Sequence, residues 1–250
     1  MRRLHSAGLT VLSIAAGLLI WEIAAHDVPR VVFAPPSAVL KRLAADTISG
    51  TLPAALLASL GHLTLGYLLA VAVAIPLGFA IGRNAKVAAM ADPIINAVYA
   101  VPPVATVPFI LLWFGLFFEA RVALVFLMSF FEILVTVSAG TRNVDPSLIA
   151  AGRAFGAGRA RLVTRVMLPA SLPFVFAALR VGLVRAINAM ITAELFFAAV
   201  NLGALMKQSA QRFDTAGLLA VIVLLCLVGL AAQEGLKALE ARLLPWHVRR

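Results

Sequence analysis

The chain has 250 residues, of which 62% are hydrophobic and only 13% charged, against roughly 45–50% and 25% in soluble domains. A soluble core of this size cannot hide so much apolar surface, so an ordinary water-soluble fold is excluded and lipid must solvate part of it. The net charge of +10 would point to nucleic acid in a soluble protein. Here the charges fall between apolar segments, where they fit membrane topology and anionic lipid, and no nucleic-acid partner is expected.

Six segments are apolar enough to span a bilayer: residues 7–25, 53–82, 87–118, 122–140, 172–200 and 215–232. Each reaches or approaches the roughly 17–25 residues that a crossing helix needs. Continuous runs of this kind exclude the alternating pattern of a membrane barrel. The expected fold is all-α, a polytopic membrane protein of about six transmembrane helices in one transmembrane domain over residues 1–250. Three segments are longer than a crossing requires, which implies tilt, a kink or a reach beyond the membrane. The first segment follows Arg2 and Arg3 and has to be weighed against a cleaved signal peptide. Its length, the Trp21-Glu22 interruption and the lack of a small-x-small site favour a retained helix.

Orientation follows from lysine and arginine. With the N-terminus inside, the inner segments carry Arg2, Arg3, Arg83, Lys86, Arg142, Arg153, Arg159, Arg161, Arg165, Lys237, Arg242, Arg249 and Arg250. The outer ones carry Arg30, Lys41, Arg42, Arg121, Lys207 and Arg212. The bias predicts both termini in the cytoplasm. Between the first two spans, Pro35-Pro36 stops any preceding helix, and Ser37 is expected to cap a short interfacial helix with Val39, Leu40 and Leu43 on one face.

The inner loop over 141–171 is about thirty residues long, and connections of that length are usually functional or locally structured. Asp145-Pro146 is a helix start, with a capping Asp and a first-turn Pro. Helix formers follow over 147–155, with Leu148, Ala151 and Phe155 on one side, and Gly156 and Gly158 end the helix. A second stretch over 160–167 is expected to break at Leu168-Pro169. A helix–glycine–helix hairpin flanked by Arg153, Arg159, Arg161 and Arg165 offers a surface for a partner protein or, alternatively, for anionic lipid.

Ala150-Ala151-Gly152-Arg153-Ala154-Phe155-Gly156-Ala157 followed by Val166-Met167-Leu168-Pro169 resembles the EAA loop of ABC importer permeases. That pattern reads Glu-Ala-Ala, three residues, Gly, nine residues, Ile-x-Leu-Pro. Gly156, Leu168 and Pro169 fall at its spacing, with Val166 in place of Ile. Ala150 departs from the Glu and Gly152 from the second Ala. The likeness extends along the chain toward the branch of nitrate, sulfonate and taurine permeases and importers of thiamine or riboflavin precursors. Pro35-Pro36-Ser37-Ala38-Val39-Leu40, Pro76-Leu77-Gly78, Val101-Pro102-Pro103-Val104-Ala105, Leu112-Trp113-Phe114-Gly115, Ala193-Glu194-Leu195, Asn201-Leu202-Gly203 and Leu244-Pro245-Trp246 carry it in order.

The resemblance implies a MetI-like permease in which Ala150, Ala151, Gly152, Arg153, Gly156, Leu168 and Pro169 couple to a cytoplasmic ATPase. Two copies would form the pore, and a periplasmic or lipoprotein binding protein would deliver the solute. ATP would be bound by the partner subunit. The chain itself shows no G-x-x-x-x-G-K-[ST] loop, so no enzymatic activity and no cofactor of its own are expected. His5, His26, His62 and His247 have no ligand spacing, so no metal site is expected either.

Ionisable residues at membrane depth cost roughly 2.5–3.5 kcal/mol on insertion scales and usually face the bundle or a cavity. Glu132, in the middle of the fourth segment, is read as lining the pathway or pairing with Arg185, the alternative being a protonated carboxyl bonded to a neighbouring helix. Glu194 is read as a gate or structural residue near the outer end of the fifth helix. Arg180 and Arg185 are placed near its cytoplasmic start, snorkelling. Pro102-Pro103 should interrupt the third helix, either as a packing kink or as a pore wall. Gly66, Gly78, Gly82 and Gly182 are expected at close helix contacts. The competing class is an ion-coupled secondary transporter, which often shows internal repeats and paired broken helices, and no repeat is evident here. A membrane enzyme would need clustered Asp or a Ser with His, and the aspartates do not cluster.

Overall fold

Apolar runs, internal backbone bonding and few mid-segment charges make helices the only economical state of this chain in lipid. The computed structural model describes residues 2–29, 31–197 and 199–245, and the side chains of these apart from residues 2–7 and Pro103. Arg30, Trp246, His247, Arg249 and Arg250, and the side chains of Arg2, Arg3 and His5, fall outside the described part. The described chain is helical: α1 (Arg2–Ala24), α2 (Pro36–Ile48), α3 (Thr51–Arg83), α4 (Ala85–Tyr99), α5 (Val107–Phe114), α6 (Phe118–Arg142), α7 (Pro146–Ala154), α8 (Arg159–Leu162), α9 (Leu168–Phe196), α10 (Asn201–Gln211) and α11 (Thr215–Leu243).

Four stretches are long and apolar enough to cross a membrane: Thr51–Arg83, Phe118–Arg142, Arg159–Phe196 and Thr215–Leu243. The α4–α5 pair passes the same test as one broken span bent by 83°, and Gly8–Ala24 of α1 is a shorter apolar helix. Each of the six predicted segments thus falls on a helix or a helix pair. The break comes where Pro102 and Pro103 remove two successive donors, and a 3-10 turn over Pro103–Thr106 restarts the helix. The predicted break at Leu168-Pro169 does not occur. A five-residue π turn over Val163–Met167 leads from α8 straight into α9. Pro169 is the second residue of α9, directly after the π turn, and its missing N–H falls where the helix changes its bonding register.

Contacts gather into two compact units, Met1–Ser59 with Ala199–Leu227 and Leu60–Ala198 with Val228–Arg250. In the first unit, the Trp21 indole donates to the Ala34 carbonyl at 3.1 Å and stacks on Phe33. Ala34, Val39 and Ala220 form its small core, with Leu43 packed against it. Leu40 is exposed instead. Ser37 does not cap α2. Pro36, with φ already fixed, starts the helix after Pro35. Ser37 instead donates through its N–H and hydroxyl to the Glu22 carboxylate at 3.0 and 2.6 Å, so a side chain from α1 caps α2. Arg42 bridges Asp46 at 2.7 Å and Asp214 at 3.0 Å.

In the second unit, α3 and α6 meet through glycines. A Cβ on Gly66 would lie 2.8 Å from Val125, one on Gly78 3.0 Å from Val137, and one on Gly82 2.7 Å from Thr141. Partner numbers rise together at one constant offset, so the two helices run parallel. On α9 the numbers run the other way: Gly182 opposes Ile133, Phe174 opposes Gly140, and Leu179 accepts from the Tyr67 hydroxyl at 2.8 Å. α9 is therefore antiparallel to both. Parallel α3 and α6 can be joined only by a segment that returns across the unit. The broken α4–α5 pair is thus a single crossing and not a re-entrant loop. The core of this unit is made of small and branched residues, among them Ala70, Ala74, Ile133, Val137 and Ala178, as expected where helices must approach closely without a hydrophobic driving force.

Candidate functional site

Three arrangements of the second unit carry chemistry or mechanics. The first is the hairpin over 145–167. The Asp145 carboxylate accepts from the Ser147 N–H at 2.8 Å, capping α7. That backbone bond, with help from the Ser147 side chain, holds Asp145 below the usual carboxylate range. At the other end the Ala157 N–H bonds to the Gly152 carbonyl at 3.0 Å and the Gly156 N–H to the Arg153 carbonyl at 2.9 Å. With Gly156 at φ +74°, this is a Schellman termination. No residue of α7 is buried, and Phe155 is 91% exposed. A Cβ on Gly152 would lie 2.7 Å from Leu162 and 3.3 Å from Val166. The small residue is what lets the two arms close, which gives a physical reason for the Gly in place of the pattern's Ala. Ala150 and Ala151 lie on α7 between cap and turn, and Leu168 and Pro169 open α9. Arg83, Arg153 and Arg159, with apolar side chains such as Ile149 and Leu162, line a cavity of about 640 Å³ beside the hairpin.

Asp145 gives a direct check on this geometry. A depressed carboxyl stabilises the cap above its unfolded titration range, and the contribution is lost as pH falls through the folded value. Asp145→Ala is expected to raise amide exchange across residues 146–154 several-fold at neutral pH, read by mass spectrometry. The difference from the parent should fade on acidification, because the parent then loses the same cap.

The second arrangement is a cavity of about 270 Å³ reached by Tyr99, Thr106, Met128, Phe131, Glu132 and Arg185, with further apolar side chains in its wall. Glu132 Oε2 accepts from Arg185 Nε at 3.0 Å and from the Tyr99 hydroxyl at 3.2 Å. The Glu132 side chain is 15% exposed and that of Arg185 46%. Both readings of Glu132 meet here, since it faces a cavity and is paired with Arg185. Arg180 and Arg185 are not at the start of their helix. The π turn lets α9 begin at Leu168, which puts both in its middle, where each needs a partner and not a snorkelling route. Arg180 bonds Glu240 of α11.

Pro102 and Pro103 stand at the break beside this cavity. Their neighbours Val101 and Thr106 line it. Sequence reasoning did not find Tyr99, Glu240 or the two-pronged bond from Arg142 to Asp92, at 2.6 and 2.9 Å. The signal available was the general one that a charge at membrane depth implies an opposite partner.

The third is Glu194, fully buried on α9, with its Oε1 3.6 Å from Nε2 of the equally buried His62 on α3. The Phe118 ring meets His62 edge-on, centroids 6.2 Å apart. Glu194 is thus brought to His62 and not to Glu132 or the double proline. Among the described residues no group of His, Cys, Asp and Glu is arranged to hold a metal ion.

Parallel α3 and α6, an antiparallel α9, a broken span beside a charged cavity and a capped hairpin before α9 define a multi-pass helical transport protein. Residues 72–244 match the model of the family described as binding-protein-dependent transport system inner membrane component. The chain belongs to that family and is the permease subunit of an ABC importer. It is 33% identical to the taurine transport system permease protein of Escherichia coli, over 91% of this chain and 85% of that one. It is 32% identical to a probable ABC transporter permease of Brucella abortus, over 99% and 98%. The formylaminopyrimidine transport permease protein of Halalkalibacterium halodurans is 27% identical over 99% of each chain. In fold, the chain resembles the inward-facing MetNI methionine ABC transporter, with TM-score 0.63 at 20% identity over 72% of this chain and 90% of that one.

Proposed function

We propose that this permease imports a small organic anion of the sulfonate, nitrate or taurine kind, or a vitamin precursor, delivered by a periplasmic or lipoprotein binding protein. Relatives named for taurine, aliphatic sulfonates and formylaminopyrimidine support that range. Two copies form the pathway, and both termini lie in the cytoplasm, in keeping with the arginines around the hairpin. ATP is bound and hydrolysed by separate ATPase subunits, and this chain supplies the pathway alone.

The observation that carries the reading is the hairpin. It is a rigid, doubly terminated helix with no buried face of its own, a 91% exposed Phe155 and a glycine in the left-handed region at its tip. An apolar ring that a folded chain leaves in water beside arginines is suited to a cleft on a partner. Ala150, Ala151, Arg153 and Gly156 would sit in that cleft. Leu168 and Pro169 would pass its movement into α9. Glu132 and the Pro102-Pro103 break would belong to the pathway, and Glu194 would brace α3 against α9.

A Cβ on Gly156 meets nothing within 4 Å, so substitution there acts through backbone strain and through the partner only. Asn tolerates this backbone region, whereas a large L residue is strained by roughly 1–2 kcal/mol. Copurification with a co-expressed ABC-importer ATPase subunit is expected to persist, weakened, in Gly156→Asn and to fall about tenfold or more in Gly156→Trp. Undiminished copurification of Gly156→Trp would place the contact elsewhere. Solute transport in proteoliposomes without ATPase or ATP would favour the ion-coupled alternative.

A further inference from the structure

The cavity at Glu132 has a chemistry that narrows the solute, and the argument rests on the permease reading above. Its walls are apolar, yet it holds a carboxylate and a guanidinium, joined to each other at 3.0 Å, with a phenol hydroxyl on the same carboxylate oxygen. A charged residue at membrane depth is by default a candidate for a solute or ion pathway. The cavity is also flanked by the broken α4–α5 span, through Tyr99, Val101 and Thr106. Non-helical backbone at this depth is tolerated where it lines a cavity or is buried in protein, and transporter sites recur at such breaks.

An anion that carries nothing else would have to take Arg185 away from Glu132. That would leave a nearly buried carboxylate with only Tyr99 to answer it, and removing one partner of such a pair is strongly unfavourable. A neutral solute would gain little by opening the pair. A solute with an ammonium at one end and an anionic group at the other replaces both halves. Its ammonium takes the Glu132 carboxylate in the place of Arg185, and its anionic end takes the released Arg185 guanidinium. The volume, about 270 Å³, is at or below the roughly 300–1,000 Å³ of ordinary ligand pockets and suits a molecule of few heavy atoms.

The geometry points to this cavity as a transmembrane binding site for a small zwitterion, an amine joined by a short linker to a sulfonate or carboxylate. Arg185 reads the anionic group, Glu132 selects the amine, and Tyr99 holds Glu132 in place. The pair is closed when the site is empty and opens only for a solute that satisfies both charges. The break in the third span puts Tyr99 and Thr106 at the site, so its shape changes whenever that break flexes.

The test uses the full-length permease, copurified with its ATPase and placed in nanodiscs, with three pairs of probes: 2-aminoethanesulfonate against ethanesulfonate, β-alanine against propanoate, and glycine against acetate. Binding is read by calorimetry in the absence of the binding protein. In the parent at least one zwitterion is expected to bind about tenfold or more tightly than its amine-free counterpart. Glu132→Gln, which keeps the shape, should remove that preference, and Arg185→Gln should weaken both members of the pair. Melting curves of both variants show whether they remain folded. The double variant Glu132→Gln/Arg185→Gln, which leaves no charge unpaired, serves if a single one unfolds, and it should show no amine preference. Equal or tighter binding of the amine-free probes, no zwitterion bound at all, or a preference that survives in the folded variants would each overturn the proposal. A complex that forms with the ATPase yet shows no amine preference refutes this inference alone. Failure of the ATPase to copurify refutes the functional reading beneath it.

Discussion

Gly82→Leu is expected to abolish the native packing of α3 on α6. A Cβ there would lie 2.5 Å from the Ser138 carbonyl oxygen and 2.7 Å from the Thr141 Cβ. Neither is the far end of a flexible chain, so the clash can be relieved only by moving one helix off the other. Ordinary overpacking costs about 1–3 kcal/mol, and a clash with backbone should exceed that range. Each kcal/mol is worth roughly 2–4 °C of Tm in a domain of this size. The melting temperature in detergent should therefore fall by about 10 °C or more, or the protein should fail to accumulate. Gly17→Leu is the control, because a Cβ on Gly17 meets nothing within 4 Å, and it should melt with the parent. If the two variants melt alike, the parallel α3–α6 seam is wrong. With it would go the argument that α4 and α5 make a single crossing.

Glu194→Leu should produce the second large loss. Glu194 and His62 are both fully buried and face each other across α9 and α3. Removing one member of a buried pair typically costs about 3–5 kcal/mol, because the other keeps its desolvation penalty without its partner. Replacing both by apolar residues removes the penalty with the interaction. His62→Leu/Glu194→Leu should accordingly recover much of the stability lost in the single variant, giving a coupling of about 1 kcal/mol or more in a double-mutant cycle. A Glu194→Leu protein that melts with the parent would show that the carboxyl carries none of the fold. Its place in the family-like Ala193-Glu194-Leu195 stretch would then need another explanation.

Much of the fold was legible because lipid leaves a chain few choices. Continuous apolar length located the four helices long enough to cross, the broken α4–α5 pair and the shorter apolar helix α1, and Asp145, Pro146 and Gly156 gave the hairpin its start and its end. Pro169 was misread because a proline early in a helix looks the same in sequence as one that stops it. The difference here is a π turn, Val163–Met167, whose spacing no propensity announces. That misreading also misplaced Arg180 and Arg185, since their depth depends on where α9 begins. Ser37 was misread for a similar reason: its N–H is answered by Glu22, fifteen residues away, and periodicity carries no information on such a partner.

At the candidate site, a charge in the middle of an apolar segment singles out Glu132, and the sequence offers Arg185 as a mate of opposite sign. Tyr99 and the cavity itself were not legible. They exist only because the broken third span folds its end toward α6 and α9. Gly152 was legible as a departure from the EAA pattern, but its reason, the approach of Leu162 and Val166, needed the packed hairpin.

In the proposed permease, the hairpin before α9 faces the cytosol and docks on an ATPase subunit. Cys226 is the chain's one cysteine and is exposed, so Cys226→Ser gives a background in which Arg153→Cys is the sole thiol. A membrane-impermeant maleimide applied to spheroplasts, then to inverted vesicles with and without the ATPase, reads its side and its cover. Labelling is expected only from the cytosolic face, with that thiol protected when the ATPase is bound. Labelling from the periplasmic face would contradict it, and so would a cytosolic thiol that the ATPase leaves equally reactive.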